Sequence, residues 1–304
     1  MQNYQGKTAV ITGAGSGFGL EVARLAAARG MNLVLCDVQA DALEKAAAEF
    51  DGLPVLARRV DVSKAAEMED LAAAVKLRFG APHFIFNNAG VGSGGLIWEN
   101  TLADWDWVLG VNLMGVVHGI RLFTPMMLEA AAADPAFEAH IVNTASMAGM
   151  LNAPNMGIYN ASKHAVVSMS ETLHQDLALV TEQVHCSVLC PFFVPTGISQ
   201  SHRNRPAHAG VTADAAEPQP TQSQLISQAM SDKAVSSGKV SAAQVAAMVF
   251  EAMDRRQFYI FSHPQALAGV QTRMEDVMQL RNPSNPFKDK PELGAKLKAA
   301  LKAV

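Results

Sequence analysis

The sequence predicts an α/β fold in which helices cover both faces of one parallel sheet, a doubly wound, three-layer arrangement of Rossmann type. Two observations predict it. Short runs rich in β-branched residues alternate with alanine-rich stretches of helical composition. These short runs are almost continuously apolar, which is typical of strands buried on both faces. With 304 residues, 49% of them hydrophobic, the chain can form a large core, and we interpret 1–304 as a single domain.

The elements are predicted in order, each strand from a short apolar run and each helix from an alanine-rich or periodic stretch. The predicted strands are Thr8–Thr12, Asn32–Cys36, Pro54–Val60, His83–Phe86, His140–Thr144, His185–Leu189 and Phe258–Phe261. The predicted helices are Phe18–Arg29, Asp41–Glu49, Lys64–Phe79, Asp104–Ala132, Ile158–Val180 and Ser241–Met253. Ser241 is a plausible N-cap, and the C-terminal residues look helical outside Asn282–Pro291.

The stretch Gln200–Gln224 differs from the rest because it is polar, contains proline and shows little periodicity. A loop of this length is usually a functional lid or a disordered segment. We therefore interpret 197–240 as a substrate lid and 262–304 as a C-terminal extension.

Composition excludes several classes of protein. The 24 Lys and Arg against 28 Asp and Glu give a net charge of −4, and only 17% of residues are charged. A disordered chain needs low hydrophobicity and high net charge, and a nucleic-acid binder needs a basic surface. Cys36, Cys186 and Cys190 are too few and scattered for a disulfide framework or a metal site. With no signal peptide and no apolar run of ~18 residues, we expect a cytoplasmic protein without a membrane span.

A glycine-rich turn joins the first predicted strand to the first predicted helix, over Thr12–Gly19. Its glycines permit a tight turn and let a phosphate approach the backbone at the helix N-terminus. Asp37 ends the second strand, where a carboxylate can accept hydrogen bonds from a ribose 2′-hydroxyl and repel a 2′-phosphate. Asp37 could instead cap the next helix, but Asp41 suits that role better. The pattern predicts binding of NAD.

A tyrosine and a lysine are spaced to share one face of a helix: Tyr159 and Lys163 lie at i and i+4. A free tyrosine has a pKa of about 10, and a nearby ammonium or an oxidised nicotinamide would lower it. Ser146, thirteen residues earlier, can hold a substrate oxygen near the phenol. That pair alone could arise by chance, but together with the serine and the glycine turn it predicts an active site.

These motifs resemble the short-chain dehydrogenase/reductase family through most of the chain. The turn has the family's glycine spacing, and Tyr-x-x-x-Lys follows the serine. The other matching residues are Asn87–Gly90, the pair Asp61–Val62, Asn112, and Pro191 with Thr196. The sequence departs from the family pattern at Phe192, where glycine is usual, and at Phe18, where isoleucine is frequent.

The resemblance implies a role for each matching residue. Tyr159 would be the general acid/base, Ser146 would orient the substrate, and Lys163 would lower the tyrosine pKa and bind ribose. Asn112 would support a water-linked proton relay to Lys163, and Thr196 would hold the nicotinamide carboxamide. The expected cofactor-binding residues are Gly13, Ser16, Gly17, Phe18, Gly19, Asp37, Asp61, Val62, Asn88, Ala89, Gly90, Tyr159, Lys163, Pro191, Val194 and Thr196.

Three methionines lie between the expected catalytic serine and tyrosine. Met147, Met150 and Met156 could simply fill gaps in the core, or they could line an adaptable apolar pocket together with Phe192 and Phe193. Asn152 would then be one of its few polar contacts. The pocket interpretation predicts a small apolar substrate.

The resemblance implies an NAD-dependent alcohol dehydrogenase or carbonyl reductase acting on a hydrophobic secondary alcohol or ketone. The sequence is also similar, more loosely, to bacterial members that oxidise the benzylic carbon of lignin-derived aryl ethers. Alternatives are an NADP-dependent carbonyl or steroid reductase, a nucleotide-sugar epimerase or dehydratase, and a non-catalytic dinucleotide sensor or scaffold. A homodimer or homotetramer packed through the two long helices is implied, although those helices could merely cover the sheet.

Overall fold

The computed structural model describes residues 3–206 and 219–302, and within them seven parallel strands form one sheet. Their order across the sheet is β3-β2-β1-β4-β5-β6-β7. The strands are β1 Thr8–Thr12, β2 Asn32–Asp37, β3 Val55–Arg59, β4 Phe84–Asn87, β5 Ala139–Thr144, β6 Val184–Cys190 and β7 Tyr259–Phe261. The predicted doubly wound α/β fold is confirmed, whereas the single-domain interpretation of 1–304 stays a prediction.

Helices cover both faces of the sheet. They are α1 Gly17–Ala28, α2 Ala40–Ala48, α3 Ala65–Phe79, α4 Leu102–Leu109, α5 Gly115–Ala133, α6 Gly157–Val180, α7 Gln222–Ser236, α8 Ala242–Arg255, α9 Leu267–Met278 and α10 Pro291–Lys302. Ser241 caps α8 as predicted, since its side chain accepts a hydrogen bond from the Gln244 amide. The predicted C-terminal helices are present on both sides of the Asn282–Pro291 segment.

The core has two layers because successive strand residues point to opposite faces of the sheet. Ile11 packs into the layer formed with α1 and α8, whereas its neighbour Val10 packs into the layer formed with α3, α5 and α6. Both side chains are fully buried. Burial of an apolar side chain of this size stabilises the fold by about 1.5–3 kcal/mol.

The strand order places β1 beside β4, and the connections leave these two strands in opposite directions across the sheet. Such a reversal opens a crevice at the carboxyl edge of a parallel sheet, which is where ligands bind in open α/β folds. The glycine turn follows β1, Asp37 ends β2, and further motif residues follow β3, β4, β5 and β6 at this same edge.

The long helix predicted over Asp104–Ala132 is helical throughout but contains one wider turn. Between α4 and α5, residues Gly110–Met114 form a π-helical turn, and Asn112 lies in it, fully buried. Extra turns of this kind often occur at functional sites. The stretch Leu102–Ala133 is long enough to cross a membrane and contains an 18-residue window with a mean hydropathy of 1.3, but α5 uses apolar residues such as Phe123 to cover the sheet.

Two local predictions were wrong. Asp41 is not a helix cap, because α2 begins at Ala40 with Gln39 as its N-cap and Asp41 lies in the first turn. Gln200–Gln224 is not a loop throughout, because 3₁₀ turns span Gly197–Asn204 and α7 begins at Gln222; the intervening residues 207–218 lie outside the described part of the chain. The sequence signal for α7 was its capping box, in which the side chains of Thr221 and Gln224 bond each other's backbone amides.

The predicted lid region contacts the loop that follows β4. Ser223, at the start of α7, accepts a hydrogen bond from the Leu96 amide at 2.8 Å and donates one to Glu99 at 2.6 Å. Before the undescribed residues, Arg205 pairs with the buried Asp104 carboxylate at 2.6 Å. The described parts of 197–240 are therefore fastened beside the carboxyl edge of the sheet.

Candidate active site

The glycine turn after β1 has a shape that only glycine allows. Gly13 and Gly17 have φ angles of +65° and +55°, which side chains rarely adopt. A Cβ on Gly19 would lie 2.1 Å from the carbonyl oxygen of Gly13. Since α1 begins at Gly17, the turn presents free backbone amides at a helix N-terminus, where a phosphate binds favourably.

Two residues of the Asn87–Gly90 motif, which begins at the end of β4, are hydrogen-bonded to Thr12 at the start of the glycine turn. The Thr12 hydroxyl accepts hydrogen bonds from the amides of Asn88 at 2.8 Å and Ala89 at 3.0 Å. The Asn88 side chain donates to the Thr12 carbonyl at 2.9 Å. Thr12 therefore joins the ends of two neighbouring strands. Sequence analysis gave it no role, although its position directly before the first glycine was a usable signal.

Asp37 faces the glycine turn from the end of β2. Its carboxylate accepts hydrogen bonds from the Gly15 amide at 2.9 Å and the Gln39 amide at 3.0 Å. Arg59 is its register partner on β3, but that guanidinium lies 3.5 Å from the carboxylate of Glu67. A negative charge thus borders the place where a ribose next to the turn would lie, and the neighbouring cation has its own acidic partner.

The remaining residues expected to bind the cofactor lie near the carboxyl edge of the sheet. Thr196 lies against the glycine turn, because a Cβ on Gly17 would be 3.4 Å from its side chain. The Ser16 side chain makes no capping bond and is available to a phosphate. The other side chains pack nearby: Phe18 and Val194 in the core layer of α1, and Val62 against Gly115. The Asp61 carboxylate accepts hydrogen bonds from Ser63.

Lys163 is the most buried charged group of the site. Its side chain is 3% exposed, and its Nζ donates to the Thr144 carbonyl at 2.9 Å. Nζ also lies 5.7 Å from the centre of the Tyr159 ring, as their spacing on α6 predicted. Burial lowers the pKa of Lys163 from 10.5 to about 8, because the ammonium loses water. A Cβ on Gly90 would be 3.6 Å from Nζ, so this glycine of the loop after β4 lies next to the ammonium.

Tyr159 and Ser146 face each other across the crevice. Burial raises the pKa of the Tyr159 phenol, and a hydrogen bond from the Ser146 side chain lowers it in part. Ser146 caps a short 3₁₀ turn by accepting from the Ala148 amide at 3.1 Å, and its hydroxyl lies 3.4 Å from the Pro191 carbonyl. The ends of β5 and β6 therefore fix the serine. The arrangement can exchange a proton with a substrate oxygen placed between the two hydroxyls.

Asn112 holds the loop after β4 in place. Its Oδ1 accepts from the Val91 amide at 2.8 Å, and its Nδ2 donates to the Val91 carbonyl and to the Ser162 hydroxyl. Both amide hydrogens are thereby used on protein partners. The visible role of the side chain is to fix this loop against α6, and the proton relay implied by the resemblance stays a prediction.

The six expected pocket residues lie in different surroundings. Met147 is buried in a core cluster with Val166 and Val188, which favours the packing interpretation for this residue. Met150 and Met156 are half-buried, and Asn152 is exposed. Phe192 and Phe193 are 41% and 37% exposed, with ring centres 4.5 Å apart. Within the part of the chain described, no group of three or more His, Cys, Asp or Glu is placed to hold a metal ion.

Comparison with known proteins establishes the family. Residues 7–207 match the short chain dehydrogenase family, and the chain belongs to it. The crystal structure of a short chain dehydrogenase/reductase from Burkholderia phymatum in complex with NAD is similar, with a TM-score of 0.88 and 51% identity, covering 94% of this chain and 99% of that one.

Two curated relatives are more distant. A CLA biosynthesis dehydrogenase/reductase of Lactiplantibacillus plantarum is 32% identical over 281 residues, which cover 91% of this chain and 95% of the relative. A C alpha-dehydrogenase of Sphingobium sp. is 35% identical over 215 residues, covering 70% of this chain and 68% of the relative. The chain is therefore an oxidoreductase of this family.

We predict that Lys163→Met stabilises the cofactor-free protein at pH 7. A folded-state pKa of about 8 against 10.5 means that the buried ammonium costs about 3 kcal/mol. Loss of the hydrogen bond to Thr144 offsets about 1 kcal/mol of this, which leaves a net gain in stability of about 2 kcal/mol. The gain should shrink between pH 8 and pH 10.5, because the native wild type releases its proton there before the unfolded chain does. Urea unfolding of wild type and variant at pH 7 and pH 10 measures the gain in stability and its decrease with pH. A variant less stable than wild type at pH 7 contradicts the prediction.

Gly19→Ala should weaken NADH binding by at least about tenfold, or about 1.4 kcal/mol. The added methyl group would displace the Gly13 carbonyl and reshape the turn. Gly269→Ala is the matched control, since a Cβ there makes ordinary contact with Leu151 at 3.5 Å. Titration of NADH fluorescence measures the NADH affinity of each variant. Equal affinities for the two variants would mean that the turn does not bind the cofactor.

Proposed function

We propose that this protein is an NAD-dependent dehydrogenase that interconverts an apolar secondary alcohol and its ketone, with the reacting carbon next to an aromatic ring. The observation that carries the proposal is the convergence of the Ser146 hydroxyl, the Tyr159 phenol and the buried Lys163 ammonium beside the glycine turn. The same convergence disfavours a non-catalytic sensor or scaffold, which has no need of a costly buried ammonium.

The side chains divide the work of proton transfer. Ser146 donates a hydrogen bond to the substrate oxygen and holds it near Tyr159. In the direction of oxidation, Tyr159 accepts the hydroxyl proton as the carbinol carbon loses a hydride; in reduction it returns that proton to the oxygen. Lys163 stabilises the phenolate by its positive charge. When bound, the nicotinamide supplies the acceptor or donor of the hydride.

NAD rather than NADP is favoured by charge at the end of β2. The Asp37 carboxylate would repel a 2′-phosphate, and Arg59, the cation in register with it, lies beside Glu67. The NAD bound to the similar Burkholderia phymatum protein supports the same choice.

An aromatic substrate is supported by the two phenylalanine rings next to the catalytic serine. Phe192 and Phe193 follow Pro191, whose carbonyl lies 3.4 Å from the Ser146 hydroxyl. Two exposed rings that contact each other favour an apolar, aromatic partner. The relative named C alpha-dehydrogenase supports a dehydrogenase reaction at a substrate carbon designated C alpha.

We also propose a cytoplasmic homodimer or homotetramer in which α4, α5 and α6 pack between subunits. Leu102 and Met114, on the α4–α5 stretch, are 81% and 40% exposed. Exposed apolar side chains on long helices favour packing against another subunit. Sedimentation of the purified protein measures the subunit number.

Replacement of the catalytic tyrosine should separate chemistry from binding. Tyr159→Phe removes the only proton-exchanging atom of that side chain, so kcat should fall by about 10²–10⁴-fold while NADH affinity stays within a factor of about two. The control is Tyr259→Phe, because Tyr259 lies at the sheet edge and its hydroxyl bonds Glu171. Retained turnover in the Tyr159 variant would show that another group moves the proton.

The charge of Asp37 should set the cofactor preference. We expect wild type to favour NADH over NADPH by at least about a hundredfold in kcat/KM, because like charges placed together cost several kcal/mol. Asp37→Asn should narrow that ratio by about tenfold. Asp41→Asn, on the exposed first turn of α2, is the matched control and should leave it unchanged. Rates at 340 nm measure the ratio, and a wild-type preference for NADPH would refute the argument.

A further inference from the structure

A histidine outside the family motifs lies at the catalytic edge of the sheet. Ser262 and His263 directly follow β7, which pairs with β6 so that Phe261 is opposite Cys190. Phe192 follows β6 two residues later, and its backbone amide donates to the Ser262 hydroxyl at 3.0 Å. Sequence analysis assigned no role to His263. The rule that ligands bind at the carboxyl ends of parallel strands would have pointed to it.

Hydrogen bonding fixes which nitrogen of His263 carries the proton. Ser262 is buried, and its oxygen already accepts from Phe192. Across the described residues, its own hydrogen has one acceptor within reach, the Nδ1 atom of His263 at 2.8 Å. A buried hydroxyl that donates to no acceptor is costly, so Ser262 donates and Nδ1 accepts. The neutral ring therefore carries its hydrogen on Nε2, which is not buried and makes no hydrogen bond to a described residue.

The histidine ring extends the pair of exposed phenylalanines. Its centre lies 5.8 Å from that of Phe192, with the ring planes at 64°, and Phe192 in turn contacts Phe193. We call Phe192, Phe193 and His263 the aromatic wall. It offers two apolar ring faces and one N–H donor with a fixed tautomer. Such a surface complements an arene that carries an acceptor oxygen.

The C-terminal extension, 262–304, packs next to the loop that follows Ser146. Ala266 and Val270 pack into the same cluster as Met147, Met150 and Leu151, which follow the catalytic Ser146. A Cβ on Gly269 would be 3.5 Å from the Leu151 side chain. The position of His263 relative to Ser146 is thus set by packing on both sides, as required of a group that selects substrates.

We propose that His263 is a specificity-determining residue: its Nε2–H donates a hydrogen bond to an oxygen substituent on the substrate's aromatic ring, while that ring packs against Phe192. The proposal rests on the proposed function and adds its substrate class, an aryl ketone or alcohol with an ether or hydroxyl oxygen on the ring. An aromatic substrate that lacks this oxygen would leave the N–H without a partner and bind less tightly.

Binding to the NADH-loaded protein tests this inference independently of turnover. The probes are acetophenone, 3′-methoxyacetophenone and 4′-methoxyacetophenone, which share the ring and differ in the acceptor oxygen. Wild type should bind one methoxy ketone about fivefold to tenfold more tightly than acetophenone, the effect of a single neutral hydrogen bond. His263→Phe keeps a ring in the wall but removes the donor, so it should bring that ratio to about one without weakening acetophenone binding.

Two further variants distinguish the loss of the His263 hydrogen-bond donor from a general effect on folding. His263→Gln keeps an N–H donor without the ring and should retain part of the methoxy preference. Ser262→Ala frees the tautomer and should reduce the preference by about twofold, since the Nε2–H form is then no longer enforced. Where the ketones turn over, the loss in His263→Phe should appear in KM for the methoxy ketone with kcat nearly unchanged.

Four outcomes would overturn the assignment: no methoxy preference in wild type, no binding of any of the three ketones, a preference that survives in His263→Phe, or an equal loss for all three ketones. The proposed function is judged separately. Ketones that bind with the expected preference but are never reduced would refute the proposed function and leave the role of His263 intact.

Discussion

The parallel direction of all seven strands is the constraint on which the site depends. Each strand ends at the same edge, so the turns after β1, β2, β4, β5 and β6 meet there although their residues are far apart in sequence. The Thr12 hydroxyl shows how closely they meet, since it bonds two amides of the loop after β4. The residues proposed to bind the nucleotide and to transfer the proton are thus brought together by the sheet itself.

The energetically unfavourable feature of this site is the burial of the Lys163 ammonium. It is buried, and the Thr144 carbonyl is its direct hydrogen-bond acceptor. Removing an ammonium from water disfavours its charged form, which lowers the pKa of Lys163 to about 8. Burial also raises the pKa of the neighbouring Tyr159 phenol, because it favours the neutral form of tyrosine. Ribose hydroxyls of a bound dinucleotide, if placed beside Nζ as proposed, would accept hydrogen bonds from the ammonium and favour its charged form, whereas the positive charge of an oxidised nicotinamide would favour the phenolate.

Much of this was accessible from the sequence because local patterns encode it. Apolar runs gave the strands within a residue or two, and the i, i+4 spacing placed Tyr159 and Lys163 on one helical face. The failures also have physical reasons. Helix α7 has almost no apolar face, so it was not predicted, and its first three residues were included in the loop Gln200–Gln224. The π turn at Asn112 depends on side-chain bonds to Val91, a long-range contact that periodicity does not reveal. Met147 faces the core instead of the crevice because of a turn that Ser146 caps.

The difference in sequence spacing between two groups of residues at this edge explains why the type of reaction was easier to predict than the substrate. The groups proposed for proton transfer lie at the end of β5 and on α6, and their spacing is local and therefore visible in the sequence. The aromatic wall instead joins residues about seventy positions apart, Phe192 after β6 and His263 after β7, through the Ser262 hydroxyl. That contact exists only because β7 adds to the sheet edge beside β6. Phe192, where the family usually has glycine, brings its ring to this place, so the departure from the family motif lies in the part of the site that we propose faces the substrate.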